Sequence, residues 1–402
     1  MRGFGSPQSH FAVESTLDIL AEQIGMDPIE IREKNILQPG DQLYTKVVMN
    51  ESALALPECL QKGREIMNEF RAAETTPGKL SGVGIALAAQ SMGLGANVPD
   101  DSSHRLEWAP DGSVLIYLGA PDLGQGLAAA AEQITAEALG IPYDRVHCLP
   151  LDTLETPNGN VTCASRMTYM AGNALLDASS SLIQSLLIEA GRLLDQPPDQ
   201  LEYRAGMVIK PDGVEVPAVE FISRLAEESI SLTAESTFSF PYPEETTPQH
   251  LPIGMPHVLY CFGAQIARVE VDPDLGTVVV THFASIHDVG KVINRAGVEG
   301  QIEGGVATGL GYALYESMAL KGDAWVDSFT EYLLPTAVDL PENYRSVILE
   351  VPEASGPYGA KGIGEIPLVP TAPAVANALY DALQVRIYDL PITPEKVLGL
   401  DK

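Results

Sequence analysis

Apolar residues near the N-terminus recur at helical spacing and predict an amphipathic helix after the turn RGFGSPQ: Phe11, Leu17, Leu20, Ala21 and Ile24. A second helix is predicted to begin at Asp27, with Pro28 in its first turn and Glu30 three residues after the cap. Residues 53–73 predict a third helix, which the linker TTPG follows.

From Gly82 the pattern changes to short apolar runs that are typical of strands, at residues 83–89, 104–108 and 114–118. A turn at residues 110–112 joins the last two of them. A helix is predicted at 127–139, a strand at 146–150 and a long helix at 170–194. The middle of the chain is therefore mixed α and β.

The final third returns to alternating strands and helices. Residues 264–271 and 277–284 predict a hairpin, followed by a helix at 298–314, a strand at 346–351 and a helix at 372–382 with Thr371 as its N-cap. The polar, proline-rich residues 241–256 predict a surface loop or an interface arm. The fold class is α+β, with mixed sheets and packed helices.

The charge and the cysteines narrow the classes of function. The 402 residues contain 24 Lys+Arg and 54 Asp+Glu, a formal net charge of −30, which disfavours nucleic acids and anionic membranes as partners. The four cysteines are far apart and predict no iron–sulfur cluster on this chain. Neither a signal-peptide core nor an apolar run of membrane-spanning length is present, so we expect a cytoplasmic protein.

Four glycine-rich turns stand at the predicted strand–helix junctions: RGFG at 2–5, LGQG at 123–126, GQIEGG at 300–305 and GAKGIGE at 359–365. Glycine allows a backbone to approach a ligand closely, and helix N-termini present free N–H groups. None of the four is a P-loop or a dinucleotide-binding fingerprint. For each turn taken alone, a structural role is the favoured interpretation.

Together, and in their order, the turns and their flanks resemble the molybdenum-binding subunit of the xanthine dehydrogenase and aldehyde oxidase family. The similar segments begin at RGFGSPQSHFAVES, DLGQGLAAAAEQ, DTLETPNGNVTCASR, DVGKVINRAGVEGQIEGG and GPYGAKGIGEIPLVP. The resemblance implies the C-terminal half of that subunit. It further implies the end of a first cofactor-binding domain at 1–78 and a second domain at 79–402, with subdomains at about 79–240 and 241–402.

The resemblance implies that Glu365 is a general base beside the metal. A partly desolvated carboxylate can have the raised pKa that suits removal of a proton from a water-derived oxygen. For an isolated turn, a solvated Glu ahead of a helix would be the favoured interpretation. Lys361 is left open between supporting the site and being solvated.

Other site residues follow from the same resemblance. Phe4 matches a ring that lines the substrate channel, although a Phe in a turn more often packs in a core. Arg166 could pair with pyrophosphate, and a surface salt bridge is its alternative. The resemblance implies no protein ligand to the molybdenum, which the pterin dithiolene holds, and implies these cofactor-binding residues: Arg2, Gly3, Gln125, Gly126, Cys163, Ala164, Ser165, Arg166, Gln301 and Gly364.

The implied cofactor is molybdenum–molybdopterin, in its cytosine dinucleotide form. Because the family's first half has no match here and the sequence opens directly on RGFG, we interpret the chain as part of a split enzyme, as in nicotinate dehydrogenases, rather than a truncation. Its expected partners are an N-terminal molybdopterin-binding subunit, an iron–sulfur subunit with 2Fe-2S clusters and an FAD subunit, in a dimer of heteromers.

The implied function is hydroxylation of an N-heterocycle, such as a purine or nicotinate, or of an aldehyde. Two alternatives stay open. One is a non-catalytic assembly or cofactor-carrying partner of such an enzyme. The other is a molybdenum-dependent reductase of an oxyanion such as selenate, with the same fold.

Overall fold

A computed structural model describes residues 2–242 and 254–399. Residues 243–253, most of the predicted surface loop or interface arm, lie outside the described residues. The chain folds around two separate four-stranded sheets, each packed against helices. Within the described residues, no helix is both long enough and apolar enough to cross a membrane.

Three helices precede the first strand: α1 (Ser6–Gln23), α2 (Pro28–Glu33) and α3 (Ala55–Ala72). The predicted cap at the start of α2 is present, because the Asp27 carboxylate accepts the amides of Ile29 and Glu30. Arg32 is buried and pairs with the carboxylates of Glu14 and Asp18 at 2.9 and 2.7 Å, which fixes α2 against α1.

The first sheet contains β1 (Leu80–Met92), β9 (Leu259–Val271), β10 (Val278–Asp288) and β13 (Asn343–Leu349), in the order β1-β9-β10-β13. The first three strands pair antiparallel, and β13 pairs parallel to β10, so the sheet is mixed. Strand β1 pairs along its whole length with β9. This sheet therefore joins strands from both sides of the predicted subdomain boundary near residue 240, and the domain boundaries themselves stay a prediction.

Helices cover both faces of the first sheet. Helix α3 packs on one face, against a cluster that includes Ile85 and Ile266. Helices α7 (Arg295–Leu314) and α8 (Thr371–Leu383) pack on the other face, beside the adjacent residues Ala86 and Ala267. This alternation of neighbouring residues between the two faces is the pattern of a strand buried on both sides.

The second sheet and its helices are, in chain order, β2 (Asp101–Trp108), β3 (Val114–Leu118), α4 (Leu127–Leu139), β4 (Val146–Cys148), α5 (Met167–Leu194), α6 (Ala218–Glu227) and β8 (Thr233–Ser239). The strands have the order β4-β3-β2-β8, and the sheet is also mixed. Its core packs against α4, α5 and α6.

Smaller elements complete the described part of the chain. They are the three-stranded sheet β5 (Glu202–Arg204), β6 (Met207–Ile209) and β7 (Glu215–Pro217), the hairpin β11 (Leu320–Lys321) with β12 (Ala324–Trp325), and α9 (Pro394–Leu398). The α+β fold class with mixed sheets and packed helices is confirmed.

One predicted cap is wrong. Pro370 occupies the N-cap position of α8, and Thr371 is the first helical residue. The Thr371 hydroxyl is fully buried and donates to Oε1 of Gln265 at 2.7 Å. A tertiary contact with β9 thus replaces the local capping bond that the sequence predicts.

Candidate active site

A cleft of about 700 Å³ lies where the two sheet units meet. The second sheet's side supplies residues 123–127 and positions within 162–168, at the starts of α4 and α5. The first sheet's side supplies positions within 289–301, from the end of β10 into the first turns of α7, and residues 360–365, which precede α8. Loop ends and helix N-termini converge here, as at many ligand sites.

The structure brings most of the predicted site residues to this one cleft. Gly3 and Ala164 adjoin it, because their backbone amides hydrogen-bond the Glu365 carboxylate. Phe4 is 87% exposed at the surface, so the core-packing alternative for its ring is wrong. The residues predicted from sequence that line the cleft are Arg2, Gln125, Gly126, Cys163, Ser165, Arg166, Gln301, Gly364 and Glu365.

Glu365 ends the segment 360–365, called the Glu365 turn below, and precedes a 3-10 turn at Ile366–Leu368. Its backbone amide donates to Oγ of Ser165 at 3.1 Å, which joins the turn to the start of α5. Its carboxylate is half-buried and lies 3.4 Å from Nε2 of Gln90. The carboxylate therefore lies at the cleft beside Gln90, in addition to the amides of Gly3 and Ala164.

Burial raises the pKa of Glu365 above its ordinary value. The backbone amides of Ala164 and Gly3 oppose this effect, and so does the positive charge of Arg2. Desolvation disfavours the ionised carboxylate. A carboxylate in this state accepts a proton more readily than an ordinary surface Glu, as a general base requires.

Arg2 connects three parts of the cleft. Its Nε donates to the carbonyl of Gly364 at 2.5 Å, and its second terminal nitrogen donates to the carbonyl and to Oε1 of Gln301 at 2.8 and 3.3 Å. Burial lowers the pKa of Arg2, while the charge of Glu365 opposes that shift. The guanidinium thus fixes the Glu365 turn to α7 and places positive charge beside the carboxylate.

The loop before α5 has a strained backbone. Ala164 and Ser165 both have left-handed conformations, with φ of 52° and 50°, which non-glycine residues adopt only at a cost. The carbonyl of Ala164 accepts the amide of Gly93 at 3.1 Å. Together with the bond between Ser165 and the Glu365 amide, this contact holds the loop in its unfavourable conformation against the turn.

The structure revises the interpretation of Arg166. Its side chain is fully buried, and its Nε pairs with Asp100 at 2.6 Å. The other guanidinium nitrogens donate to the carbonyls of Gly159, Val161 and Asp101. Every guanidinium nitrogen is bound within the protein, so the predicted pairing with pyrophosphate is replaced by support of the loop from inside. The alternative of a surface salt bridge is also wrong.

Residues 121–126, called the Gly124 loop below, form the opposite wall of the cleft. The exposed carboxylate of Asp122 accepts three amides in and after this loop, those of Gly124, Gly126 and Ala128. Oε1 of Gln125 accepts the amide of Leu123, and Nε2 is 3.4 Å from the carbonyl of Pro121. The Gln125 side chain thus closes the loop on itself.

Two features of the site did not follow from the sequence: the role of Lys361, which was left open, and the first turn of α5, which was missed. Lys361 is buried and forms an ion pair with buried Asp288, which the apolar, glycine-rich flanks of Lys361 did not reveal. Helix α5 begins at Met167, three residues before its predicted start, and has no side-chain cap. Met167 and Thr168, in its first turn, line the cleft.

The uncapped first turn of α5 is suited to an anion. The first amides of a helix have no intrahelical acceptor, and the helix dipole adds partial positive charge there. Gly124 and Gly126, with φ of +100° and +82°, have open space where a Cβ would lie. Within the described ranges, no three His, Cys, Asp or Glu side chains converge to hold a metal.

Comparison with known proteins identifies the family to which this chain belongs. Residues 58–341 match the molybdopterin cofactor-binding domain, and residues 1–36 match a second family of the same description. The chain therefore belongs to the molybdopterin cofactor-binding domain family, in agreement with the resemblance stated above.

The similarity to individual proteins is consistent with this family. A putative xanthine dehydrogenase molybdenum-binding subunit of Escherichia coli (strain K12) is 33% identical over 414 residues, covering 99% of this chain and 52% of that protein. The structure of aldehyde oxidoreductase from Desulfovibrio gigas is 30% identical, with a TM-score of 0.82, over 100% of this chain and 41% of that one.

A third relative is a heterocycle enzyme. The structure of quinoline 2-oxidoreductase from Pseudomonas putida 86 is 26% identical, with a TM-score of 0.82, over 99% of this chain and 52% of that chain. The chain spans about half the length of the curated relatives it matches.

Proposed function

We propose that this chain is the molybdopterin-binding catalytic part of a multi-subunit molybdenum hydroxylase, with Glu365 as its general base. The observation that carries the proposal is a half-buried carboxylate with a raised pKa, directed into a cleft between glycine turns. The substrate is an N-heterocycle or an aldehyde, and the oxygen it gains comes from water.

The residues of the cleft fit a molybdenum–pterin group. The uncapped first turn of α5 suits its phosphate oxygens, and the open glycine backbone at Gly124 and Gly126 permits close approach of a flat ring. Gln125 and Gln301 supply amide groups on the two walls. The cytosine dinucleotide form of the pterin is part of this proposal and rests on the family resemblance alone.

When bound, the molybdenum–pterin group supplies a Lewis acid and a two-electron redox centre. The chain's own contribution is the movement of one proton. The Glu365 carboxylate accepts it from the water-derived oxygen, and its partial desolvation strengthens it as a base. Arg2, fixed to Gly364 and Gln301, stabilises the ionised form in which Glu365 begins the reaction.

Phe4 is proposed to contact the substrate. Its ring is 87% exposed, next to Gly3, whose amide binds the Glu365 carboxylate. An exposed aromatic ring in this place can stack on a heterocycle. The similarity to quinoline 2-oxidoreductase supports an N-heterocycle, and the similarity to aldehyde oxidoreductase supports an aldehyde.

Partner subunits are proposed to complete the enzyme. The curated relatives are about twice as long as this chain, and large apolar side chains such as Trp325, Phe329 and Val338 are exposed on it. The proposed partners are an N-terminal molybdopterin-binding subunit, a 2Fe-2S subunit and an FAD subunit, assembled as a dimer of heteromers. The scattered cysteines support a location in the cytoplasm.

The decisive variant is Glu365→Gln in the purified native complex, with Glu69→Gln as the matched control. Glu69 is an exposed carboxylate on α3 that pairs with Arg345, outside the cleft. We expect Glu365→Gln to lower kcat by about 10²–10⁴-fold while the molybdenum and pterin content per chain stays unchanged. Glu69→Gln should change neither quantity.

Two results would contradict this function. One is a native complex that contains neither molybdenum nor pterin. The other is a Glu365→Gln complex that hydroxylates both aldehydes and N-heterocycles at the rate of the parent. A complex that holds the metal and reduces an oxyanion instead would favour the reductase alternative.

A further inference from the structure

A pair of opposite charges is fully buried at the start of the Glu365 turn. The side chains of Lys361 and Asp288 are both 0% exposed and form an ion pair. Removing two charges from water costs several kcal/mol per ion, and apolar side chains of similar volume often replace such a pair without loss of stability. General stability is therefore a weak explanation for this pair, and its location suggests another.

Asp288 is itself fixed at the end of β10. Its Oδ1 accepts the amides of Gly290 and Val351 at 3.0 and 3.1 Å, and its Oδ2 accepts the Lys361 ammonium. The backbone amide of Lys361 donates to the carbonyl of Val289 at 3.0 Å. Lys361 is thus fixed by its side chain and its backbone to the carboxyl end of one central strand.

The middle of the Glu365 turn has few contacts of its own. Gly362 and Gly364 have no side chains, and Ile363 is the one residue between Lys361 and Glu365 that packs a side chain into the core. The Gly362 amide points to Sδ of Met92 at 3.2 Å, a weak acceptor. Lys361 therefore holds the start of the turn, while the contacts with Arg2 and Ser165 hold its end.

We propose that the Lys361–Asp288 ion pair positions Glu365, by fixing the start of the Glu365 turn to β10 at a single register. This inference rests on the proposed role of Glu365 as the base. The buried Lys361 ammonium is bound to the Asp288 carboxylate and also lies 5.6 Å from the centre of the Phe262 ring, so a shift of the turn along β10 would separate the charges. A neutral apolar pair would tolerate such a shift, because dispersion contacts are not directional.

The test is the double variant Lys361→Met with Asp288→Asn, which removes both charges together and retains the Oδ1 acceptor of Asp288. Hydrogen exchange, followed by mass spectrometry in the native complex, should become about tenfold faster at residues 362–365. Exchange within α8 (Thr371–Leu383) should stay unchanged. We expect kcat to fall roughly 10- to 100-fold, with KM and the molybdenum content nearly constant.

The matched control is Arg268→Met with Glu270→Gln. This pair is also buried, with its atoms 2.9 Å apart, and lies on β9 away from the cleft. We expect it to leave both kcat and the exchange of residues 362–365 unchanged. If the Lys361 double variant does not fold, Lys361→Met alone replaces it, because burial raises the pKa of Asp288 and favours its neutral form.

Three outcomes would overturn the positioning role. They are an unchanged exchange rate at residues 362–365, a rise spread evenly over the protein, and an equal response from the Arg268 control. The exchange measurement needs no turnover. A failure of this inference is therefore distinguishable from a failure of the proposed function, which the Glu365→Gln variant tests.

Discussion

The two walls of the cleft are built in opposite ways. The Glu365 turn is held by residues far away in sequence: Asp288 for Lys361, Arg2 for Gly364 and Ser165 for Glu365. The Gly124 loop is held mainly by its own neighbours, since Asp122 binds amides two to six residues later, with one longer-range bond from Thr162 to the carbonyl of Pro121. One wall is fixed by tertiary contacts, and the other mainly by local turn chemistry.

This contrast corresponds to the roles we propose for the two walls. A general base must be held within a fraction of an ångström of the proton it accepts, which requires buried, long-range contacts. A loop that receives a ring and phosphates needs mainly exposed amides and no obstructing side chains. Alterations to the first wall should accordingly be costly, and alterations to the second should be mild.

The largest effect is expected from Gly362→Ala. A Cβ at Gly362 would lie 1.7 Å from the carbonyl oxygen of Ser165, so the turn and the loop before α5 would have to separate. We expect a loss of about 3 kcal/mol or more in the free energy of unfolding, measured by denaturant titration.

Gly364→Ala, two residues along the same turn, is the control. Its Cβ would meet nothing closer than Ser165 Oγ at 3.9 Å, so we expect a loss of about 0.5 kcal/mol or less. Equal stabilities for the two variants would contradict a turn held by close contact with Ser165.

The second effect concerns pH. Because the ionised Glu365 is the active form, kcat/KM should fall as the pH drops through the pKa of Glu365. Burial raises that pKa, so the fall should occur at higher pH than for an ordinary Glu. The charge of Arg2 opposes this rise in pKa. Arg2→Met should therefore move the fall of kcat/KM on the acid side of the pH profile (its acid limb) to still higher pH.

Arg2→Lys retains the positive charge and serves as the control, with a smaller displacement of the limb expected. The measurement is kcat/KM per bound molybdenum across the pH range. A limb that stays in place, or moves to lower pH, in Arg2→Met would contradict the electrostatic coupling between Arg2 and Glu365.

The smallest effect is expected in the Gly124 loop. Although burial opposes the shift, the donated amides lower the pKa of Asp122. Asp122→Ala should cost about 1 kcal/mol of stability at neutral pH. Because the folded pKa is lowered, this contribution is present above the unfolded pKa and is lost as the pH falls through the folded pKa.

Asp111→Ala is the matched control, since Asp111 makes the same kind of local turn bond, to Ser113, outside the cleft. Both variants should lose similar stability, and Asp122→Ala alone should also weaken retention of the pterin. A cost above about 3 kcal/mol for Asp122→Ala would show that the Gly124 loop is as constrained as the Glu365 turn.

Local patterns predicted local structure well. Helix α4 (Leu127–Leu139) has its predicted bounds, and Asp27 caps α2 as predicted. Strand β1 extends beyond its predicted 83–89, and Gly82, just before that range, lies within the strand. A Cβ at Gly82 would lie 2.2 Å from the carbonyl oxygen of Ala378 in α8, so close helix packing, invisible in the sequence, makes glycine necessary in this strand.

The site was predictable in part. Three of the four predicted glycine turns lie in turns or loops, but GQIEGG at 300–305 lies within helix α7 (Arg295–Leu314), so its prediction as a turn is wrong. The family resemblance grouped all four segments. The contacts that give Glu365 its environment join Arg2 to Gly364, Asp288 to Lys361 and Ser165 to the turn. The hydrophobic periodicity of a sequence gives no information about such long-range contacts. Arg166 is a second example. Its charge suggested a ligand contact in the sequence, but its side chain is buried and binds Asp100 and backbone carbonyls within the protein.

The hydrogen bond between Arg2 and Gly364 also bears on the order in which the site folds. It joins residues 362 positions apart, and contacts of such long sequence separation form late, after the segments between them have folded. We therefore expect the wall that carries Glu365 to be completed near the end of folding. Under the proposed function the pterin would bind only after that moment, because a chain that has emerged only in part from the ribosome lacks one side of this contact.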